Sequence, residues 1–295
     1  MSVQSRLNVL YREAERIQIG RDSRIVLMSD CHRGVGNHGD NFLNNQNLVY
    51  AALSYYNSRH FTYVELGDGD ELWENRRIQP IFQAHSNIFW LLSQFYCQGR
   101  FIMLYGNHDR KKEQPRFLKR FYEQYYDENR DCRQELFPGL VAREGIILEL
   151  ADTGHQLFLV HGHQGDLMND TLWPLTRFLV RHVWRRLELG GVQDPTSAAK
   201  NYKRKKTTER RLSAWADEAG VLLVAGHTHR PVLPRPGESM YLNDGSCVHP
   251  RCITALEIEQ GYITLVKWCT EVGKNNNLYV GRKVLEGAFR LENYF

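Results

Sequence analysis

A mixed α/β fold, with helices packed on a sheet that is parallel in part, is what this 295-residue sequence predicts. Three observations carry that reading. Short apolar runs alternate with amphipathic stretches in a βαβαβ order over residues 24–126. Five apolar runs end in a burst of Asp, His and Gly: Asp30-Cys31-His32, Gly67-Asp68, Gly106-Asn107-His108-Asp109, His161-Gly162-His163 and Gly226-His227-Thr228-His229. Beyond Leu136 the runs become closely spaced, as antiparallel strands are.

Within residues 1–20 the spacing of Leu7, Leu10, Ala14 and Ile17 predicts a helix over residues 2–19, packed on the outside of one domain that spans 1–295. Residues 24–29 read as the first strand, and the Gly- and Asn-rich residues 34–40 as a loop leading into a helix at 44–59. A second strand at 61–66 opens into the acidic loop 67–74. The helix at 78–98 has Ile81, Phe82, Ile88, Phe89, Leu92 and Phe95 on its apolar face. A third strand at 100–105 and a charged helix at 115–126 complete the alternating part. Strands follow at 140–143, 146–150 and 156–160, then a helical insertion at 166–220 broken by a turn-rich stretch at 190–196. Strands resume at 221–225, 239–242, 253–259 and 262–268, the last two forming a hairpin around Gln260-Gly261. Residues 273–277 are the one candidate for disorder.

Composition bounds the chemistry more than it directs it. With 42% hydrophobic and 24% charged residues the chain can bury a full core, and a formal charge of +4 is too small to define a partner. No apolar window is long enough to span a membrane, and the N-terminus lacks an export signal, so a cytoplasmic protein is expected. Six cysteines at irregular spacings, with no C-x-x-C pair, point to reduced core thiols. Cys31 should point away from its neighbours Asp30 and His32 on an extended segment.

Ligand sites in α/β sheets gather beyond the carboxyl ends of strands, where loops converge on a rigid support. Asp30, His32, Asp68, Asn107, His161, His227 and His229 would all stand there, a nitrogen and oxygen donor set without thiolate. Such donors suit manganese first, with iron or zinc as alternatives, and they are too many for one tetrahedral ion. Two divalent ions are the economical reading, with Asp68 on its Gly-flanked turn as the bridge. The loop 67–74 resembles a calcium loop in composition but lacks its spacing, so Asp70, Glu71 and Glu74 read as loop-capping or supporting groups.

On these five ordered blocks, covering roughly residues 22–270, the chain resembles the calcineurin-like metallophosphoesterases. The resemblance implies a four-layer α/β/β/α sandwich with a helical insertion. It assigns Asp30, His32, Asp68 and His229 to one metal, and Asp68, Asn107, His161 and His227 to the other. His108 would protonate the leaving oxygen or stabilise phosphoryl charge, Asp109 would orient a neighbouring histidine, and a metal-activated hydroxide would attack phosphorus. His161 ends its strand and matches the family position, which leaves His163 for the substrate.

Residues 177–211 are the most basic part of the chain, with Arg185, Arg186, Lys200, Lys203, Arg204, Lys205 and Lys206 among them. A solvated face, a cap gripping a polyanionic substrate and a membrane-surface helix are three readings of it. The stretch 161–170 followed by a helical insert is similar to the UDP-2,3-diacylglucosamine pyrophosphatase branch, which implies a lipid-linked nucleotide substrate, contact with the inner membrane face, and Asn169 with His163 at the substrate. This chain departs from that branch at His108 and His163, where Arg and Asp are usual. The expected activity is hydrolysis of a phosphodiester or pyrophosphate bond; the alternatives are a phosphomonoesterase or protein phosphatase and a cyclic nucleotide phosphodiesterase. An inactive nucleic-acid-binding scaffold using residues 200–211 would have no need of the full donor set or of His108.

Overall fold

The computed structural model of the chain describes residues 2–127, 131–166 and 202–295. In chain order its elements are α1 (Val3–Glu13), β1 (Glu15–Ile19), β2 (Arg24–Met28), α2 (Gln46–Ser58), β3 (Thr62–Leu66), α3 (Gln79–Ala84), α4 (Ser86–Cys97), β4 (Phe101–Leu104) and α5 (Pro115–Phe121). There follow β5 (Gln124–Asp127), β6 (Cys132–Glu135), β7 (Ala142–Arg143), β8 (Gly145–Leu150) and β9 (Gln156–Val160). After the undescribed stretch come α6 (Tyr202–Ala219), β10 (Leu222–Ala225), β11 (Tyr241–Asn243), β12 (Cys252–Glu259), β13 (Tyr262–Val272) and β14 (Leu278–Arg290).

Among the described residues two large sheets form, one in the order β14-β13-β12-β2-β3-β4-β7 and the other β1-β8-β9-β10-β11, while β5 and β6 pair separately. Side chains alternate across a strand, so each central strand serves two cores. Ile25 and Leu27 of β2 face the second sheet, where they join Val64, Leu104, Leu148, Leu159 and Val224. Val26 and Met28 face the other way, onto Val49, Leu53, Ile81, Phe89 and Leu92 of α2, α3 and α4. The far face of the second sheet packs Ile147, Phe158 and Leu223 against Leu7 and Leu10 of α1 and Leu212 and Trp215 of α6. Three apolar layers between four structural ones make the α/β/β/α sandwich. An isolated 11-residue helix is marginal in water. What holds α1 is its burial of Leu7 and Leu10, about 1.5–3 kcal/mol for each side chain, with Ser2 capping its first turn.

The structure departs from the sequence reading at the edges. The helix expected over residues 2–19 ends at Glu13, and β1 pairs in parallel with β8 from Glu15↔Ile146 to Ile19↔Leu150. Ile17 and Ile19 alternate into the core between the sheets, a two-residue period embedded in a helical one. The helix expected at 78–98 is two helices. They break at His85, whose buried imidazole bonds Asp40 (2.8 Å) and Gln46 (3.0 Å) instead of continuing a single apolar face. The helix expected at 115–126 stops at Phe121, because Gln124–Asp127 pairs with Cys132–Glu135 as a hairpin. Residues 273–277 are ordered as the turn joining β13 to β14, closed by Gly273 N–H donating to the Asn277 carbonyl at 2.7 Å. β14 itself escapes a reading of alternation, since it is an edge strand with most residues exposed and two glycines inside. Of the insertion at 166–220, residues 167–201 lie outside those described, and with them Asn169, Arg185, Arg186 and Lys200; Tyr202–Ala219 is helical. All six cysteines are free thiols, and Cys31 is buried in the core on the helix side. Among the described residues no helix is long and apolar enough to cross a membrane.

Candidate metal centre

The five motif loops leave the carboxyl ends of β2, β3 and β4 in one sheet and of β9 and β10 in the other, and they meet. Main-chain bonds stitch them together: Asp30 N–H to the Gly67 carbonyl (3.1 Å), His32 N–H to Asp68 (2.9 Å) and Gly226 N–H to His161 (2.9 Å). Turning each side chain inward requires unusual backbone. Asp30, His32, Asp68, His227 and His229 all have φ between 47° and 65°, a left-handed conformation that costs a non-glycine residue about 1–3 kcal/mol. Glycine is needed where the loops touch, since a Cβ on Gly106 would fall 2.2 Å from Asp68 Oδ1.

Three groups of donor atoms result among the described residues; one is His32, Glu71 and His108, and the other two are built only from residues expected to hold metal. Asp30, His32 and His229 form one, with Asp30 Oδ1 2.9 Å from His229 Nε2 and 3.5 Å from His32 Nε2. Asp68, His161 and His227 form the other. Asp68 Oδ2 lies 3.1 Å from His161 Nε2 and 3.9 Å from His32 Nε2, between the two groups.

The donors fit a cation. His161 Nδ1 bonds the Leu66 carbonyl at 2.8 Å, which assigns a ring hydrogen to Nδ1 and leaves Nε2 as the atom that faces the Asp68 carboxylate. Among the described residues, Asp30 Oδ1, Asn107 Oδ1 and His161 Nε2 are all buried without a hydrogen-bond partner. A buried polar group left this way costs about 1–3 kcal/mol, and a divalent ion between such atoms is what relieves it. Burial alone would raise the Asp68 carboxyl, but His161 and His108 outweigh it and hold Asp68 well below the usual carboxylate range. Burial opposes protonation of His161, yet Asp68 and Asp30 push it up to about 9.

His108 stands beside these groups. Its Nδ1 is 2.7 Å from Glu71 Oε2, which also lies 3.0 Å from His32 Nδ1, and its ring stacks on Trp73 at 4.2 Å between centroids. Glu71 Oε1 accepts from the amides of Trp73 and Glu74, so this one residue caps its loop and aligns two imidazoles. Asp109, expected to orient a histidine, does something else: it accepts from the amides of Gly106 (2.7 Å) and Gly69 (3.0 Å) and pairs with Lys112 (2.7 Å). Lys112 and Arg33 both reach Asp70 at 2.8 Å in a fully buried ion network under the loops. His163 is fully buried beside His161, ring centroids 5.6 Å apart, and neither of its nitrogens has a hydrogen-bond partner among the described residues. Burial, with His161 and His227 nearby, holds it well below the ordinary imidazole range.

Several residues here left no signal in the sequence. Arg33 and Lys112 look like surface charges, and only the fold buries them. Asp166 Oδ2, 4.0 Å from His227 Nε2, and Trp73 belong to the same set. Glu71 was legible only as one of several acidic loop residues.

Comparison with known proteins follows the same line. The calcineurin-like phosphoesterase family matches residues 23–231. No curated protein matches the chain. Among solved structures, a conserved uncharacterised protein from Streptococcus pneumoniae, a predicted phosphoesterase, is similar with a TM-score of 0.36 and 16% identity, covering 89% of this chain and 97% of that one. Vps29 from Chaetomium thermophilum is similar with a TM-score of 0.40 and 10% identity, covering 89% of this chain and 96% of that one. The family match runs through all five motif loops, from Asp30 to His229, and the chain belongs to the calcineurin-like phosphoesterases, a family of metal-dependent phosphoester hydrolases.

Proposed function

We propose that the chain hydrolyses a phosphodiester or pyrophosphate bond, in a substrate of the nucleotide-sugar kind, with two divalent ions held between the strand ends. The supporting observation is the position of Asp68 Oδ2, within 4 Å of donors in both groups. Asp30, His32, Asp68 and His229 would hold one ion, and Asp68, Asn107, His161 and His227 the other. When bound, such ions supply Lewis-acid charge toward a phosphoryl oxygen and bring the pKa of water toward neutrality; this donor set suits manganese, iron or zinc.

The chain's own residues do the rest. Burial pulls the His108 imidazole down, but Glu71 and Asp68 outweigh it and raise it above the ordinary range, and with Nδ1 given to Glu71 the remaining nitrogen is the one that would pass a proton to the leaving oxygen. Ser29 Oγ–H (2.5 Å) and the amide of His227 (2.8 Å) both donate to Asp30 Oδ2, so its other oxygen is aimed at the donor group. The test is turnover in Mn²⁺ of a panel of UDP-sugars, bis-p-nitrophenyl phosphate and p-nitrophenyl phosphate. Diesters or pyrophosphates should be the better substrates; monoesters turning over while both others stay inert would overturn the substrate class.

Metal uptake should also carry a proton signature. In the metal-free protein His161 holds a proton up to about pH 9, and that proton must leave before Nε2 can bind an ion. Apparent Mn²⁺ affinity is therefore expected to rise with pH until about 9 and then level off, with proton release measured calorimetrically in two buffers of different ionisation enthalpy. An affinity independent of pH would count against His161 as a ligand.

A further inference from the structure

Ser29, the first residue beyond β2, places its hydroxyl against two carboxylates at once. Its Oγ lies 2.5 Å from Asp30 Oδ2 and 2.8 Å from Asp244 Oδ1. Asp244 comes from the other sheet. It follows β11, its amide donates to the Ala225 carbonyl at the end of β10 (3.0 Å), and Asn243 Nδ2 beside it donates to the Gly226 carbonyl (2.7 Å). The contact from Ser29 to Asp244 therefore bridges the two sheets, between residues 215 positions apart.

A hydroxyl has one hydrogen to give, and an ionised carboxylate has none. Three oxygens in a row need two hydrogens, and Ser29 supplies only one. Solvent is poorly placed to supply the other, since Ser29, Asp30 and Asp244 are all buried. The Gly226 backbone also closes over them: a Cβ there would fall 2.2 Å from Ser29 Oγ and 2.7 Å from Asp30 Oδ2. The second hydrogen must sit on one of the two carboxyls.

Asp30 is the poorer place for it. Its Oδ2 already accepts from the His227 amide at 2.8 Å, and its Oδ1 is 2.9 Å from His229 Nε2 within the donor group. Asp244 has the opposite surroundings. Its Oδ2 is buried without a hydrogen-bond partner among the described residues, so an ionised carboxylate would keep its charge in the interior on one side-chain contact, to Ser29. Burial, then Asp30, push the Asp244 carboxyl well above the usual carboxylate range, while Ser29 and His161 pull the other way.

Once Ser29 Oγ accepts from an Asp244 O–H, its own hydrogen is directed at Asp30. Two donors, Ser29 and the His227 amide, then hold Asp30 Oδ2 and leave Oδ1 turned to the donor group. We propose that Asp244 is a positioning residue, a neutral carboxylic acid that donates to Ser29, so that Ser29 donates to Asp30 and keeps Asp30 Oδ1 aimed at the ion. The proposal rests on the reading above that Asp30 holds metal.

Infrared spectroscopy of the metal-free protein at neutral pH reads the proton: wild type should show a carboxylic-acid C=O stretch that Asp244→Asn lacks. Calorimetry with Mn²⁺ reads the positioning. Asp244→Ala and Ser29→Ala should each lose about ten- to hundredfold in Mn²⁺ affinity, the range for groups that hold a metal ligand in place. The double variant should lose no more than the worse single one, because both act through one hydroxyl. Asp244→Asn, whose amide N–H can replace the carboxyl O–H, should recover most of the loss. If Asp244→Ala does not fold, Asp244→Asn and Ser29→Ala still carry both arms. The proposal is overturned by an unchanged C=O region in Asp244→Asn, by losses that add in the double variant, by an Asp244→Asn affinity as low as that of Ser29→Ala, or by thermal midpoints that fall while Mn²⁺ affinity stays. Asp30→Asn separates the two readings. Wild-type Mn²⁺ affinity in Asp30→Asn would remove Asp30 from the ligands, whereas a loss there with none in Ser29→Ala would sink the positioning role alone.

Discussion

Replacing Asp68 is expected to cost the protein both metal and turnover. Asp68 is the carboxylate that lies within 4 Å of donors in both groups, so Asp68→Ala should break the pair and leave two incomplete sites. Lewis-acid stabilisation of a phosphoryl transition state is worth several kcal/mol, and turnover should fall on the order of 10³-fold or more. Alanine also removes the acceptor of the His108 amide, 2.8 Å from Asp68 Oδ1, at a cost of about 1–3 kcal/mol for a buried donor. Asp68→Asn separates the two effects: the amide oxygen can still accept from His108, while the charge and the second oxygen are gone. Elemental analysis and the thermal midpoint read the two arms. Full metal content and wild-type turnover in Asp68→Asn would sink the bridging role.

His108→Ala should behave differently, keeping its metal while turnover drops by on the order of 10²–10⁴, the range of a general acid. The reason for expecting metal retention is geometric. His108 Nδ1 is bonded to Glu71, and its ring stacks on Trp73 beside the donor groups. Glu71→Gln should then act through His108. Without the carboxylate the imidazole loses its proton at lower pH, so the basic limb of the pH–rate profile moves down, and any loss the double variant shows beyond His108→Ala alone measures what Glu71 does through His32. Loss of metal in His108→Ala would argue that it ligates. An unmoved pH profile in Glu71→Gln would show that the 2.7 Å contact does not tune the acid.

The strand ends were legible because both halves of each motif obey local rules: an apolar run forms a buried strand, and Gly with Asp or His can make the sharp turn after it. Asp30, Asp68 and His161 could be named on that basis, and each stands where its strand stops. Element boundaries were less legible wherever a partner overruled a local preference. Residues 15–19 carry a helical spacing, yet the parallel ladder with β8 takes them, since Ile17 and Ile19 bury more as a strand between two sheets than as a last helical turn. His85 breaks its helix for a bond to Asp40, a residue 45 positions away.

By itself the sequence determined which residues with donor atoms stand at the strand ends and in what order, because donor chemistry is a property of residue type and each turn is local. The tertiary structure alone decided which atoms share a neighbour. It put Asp68 between His32 and His161, gave Glu71 rather than Asp109 to His108, and sent Asp109 to backbone amides and the buried Lys112. Contacts of that kind depend on how two sheets stack, and no local spacing of residues encodes them.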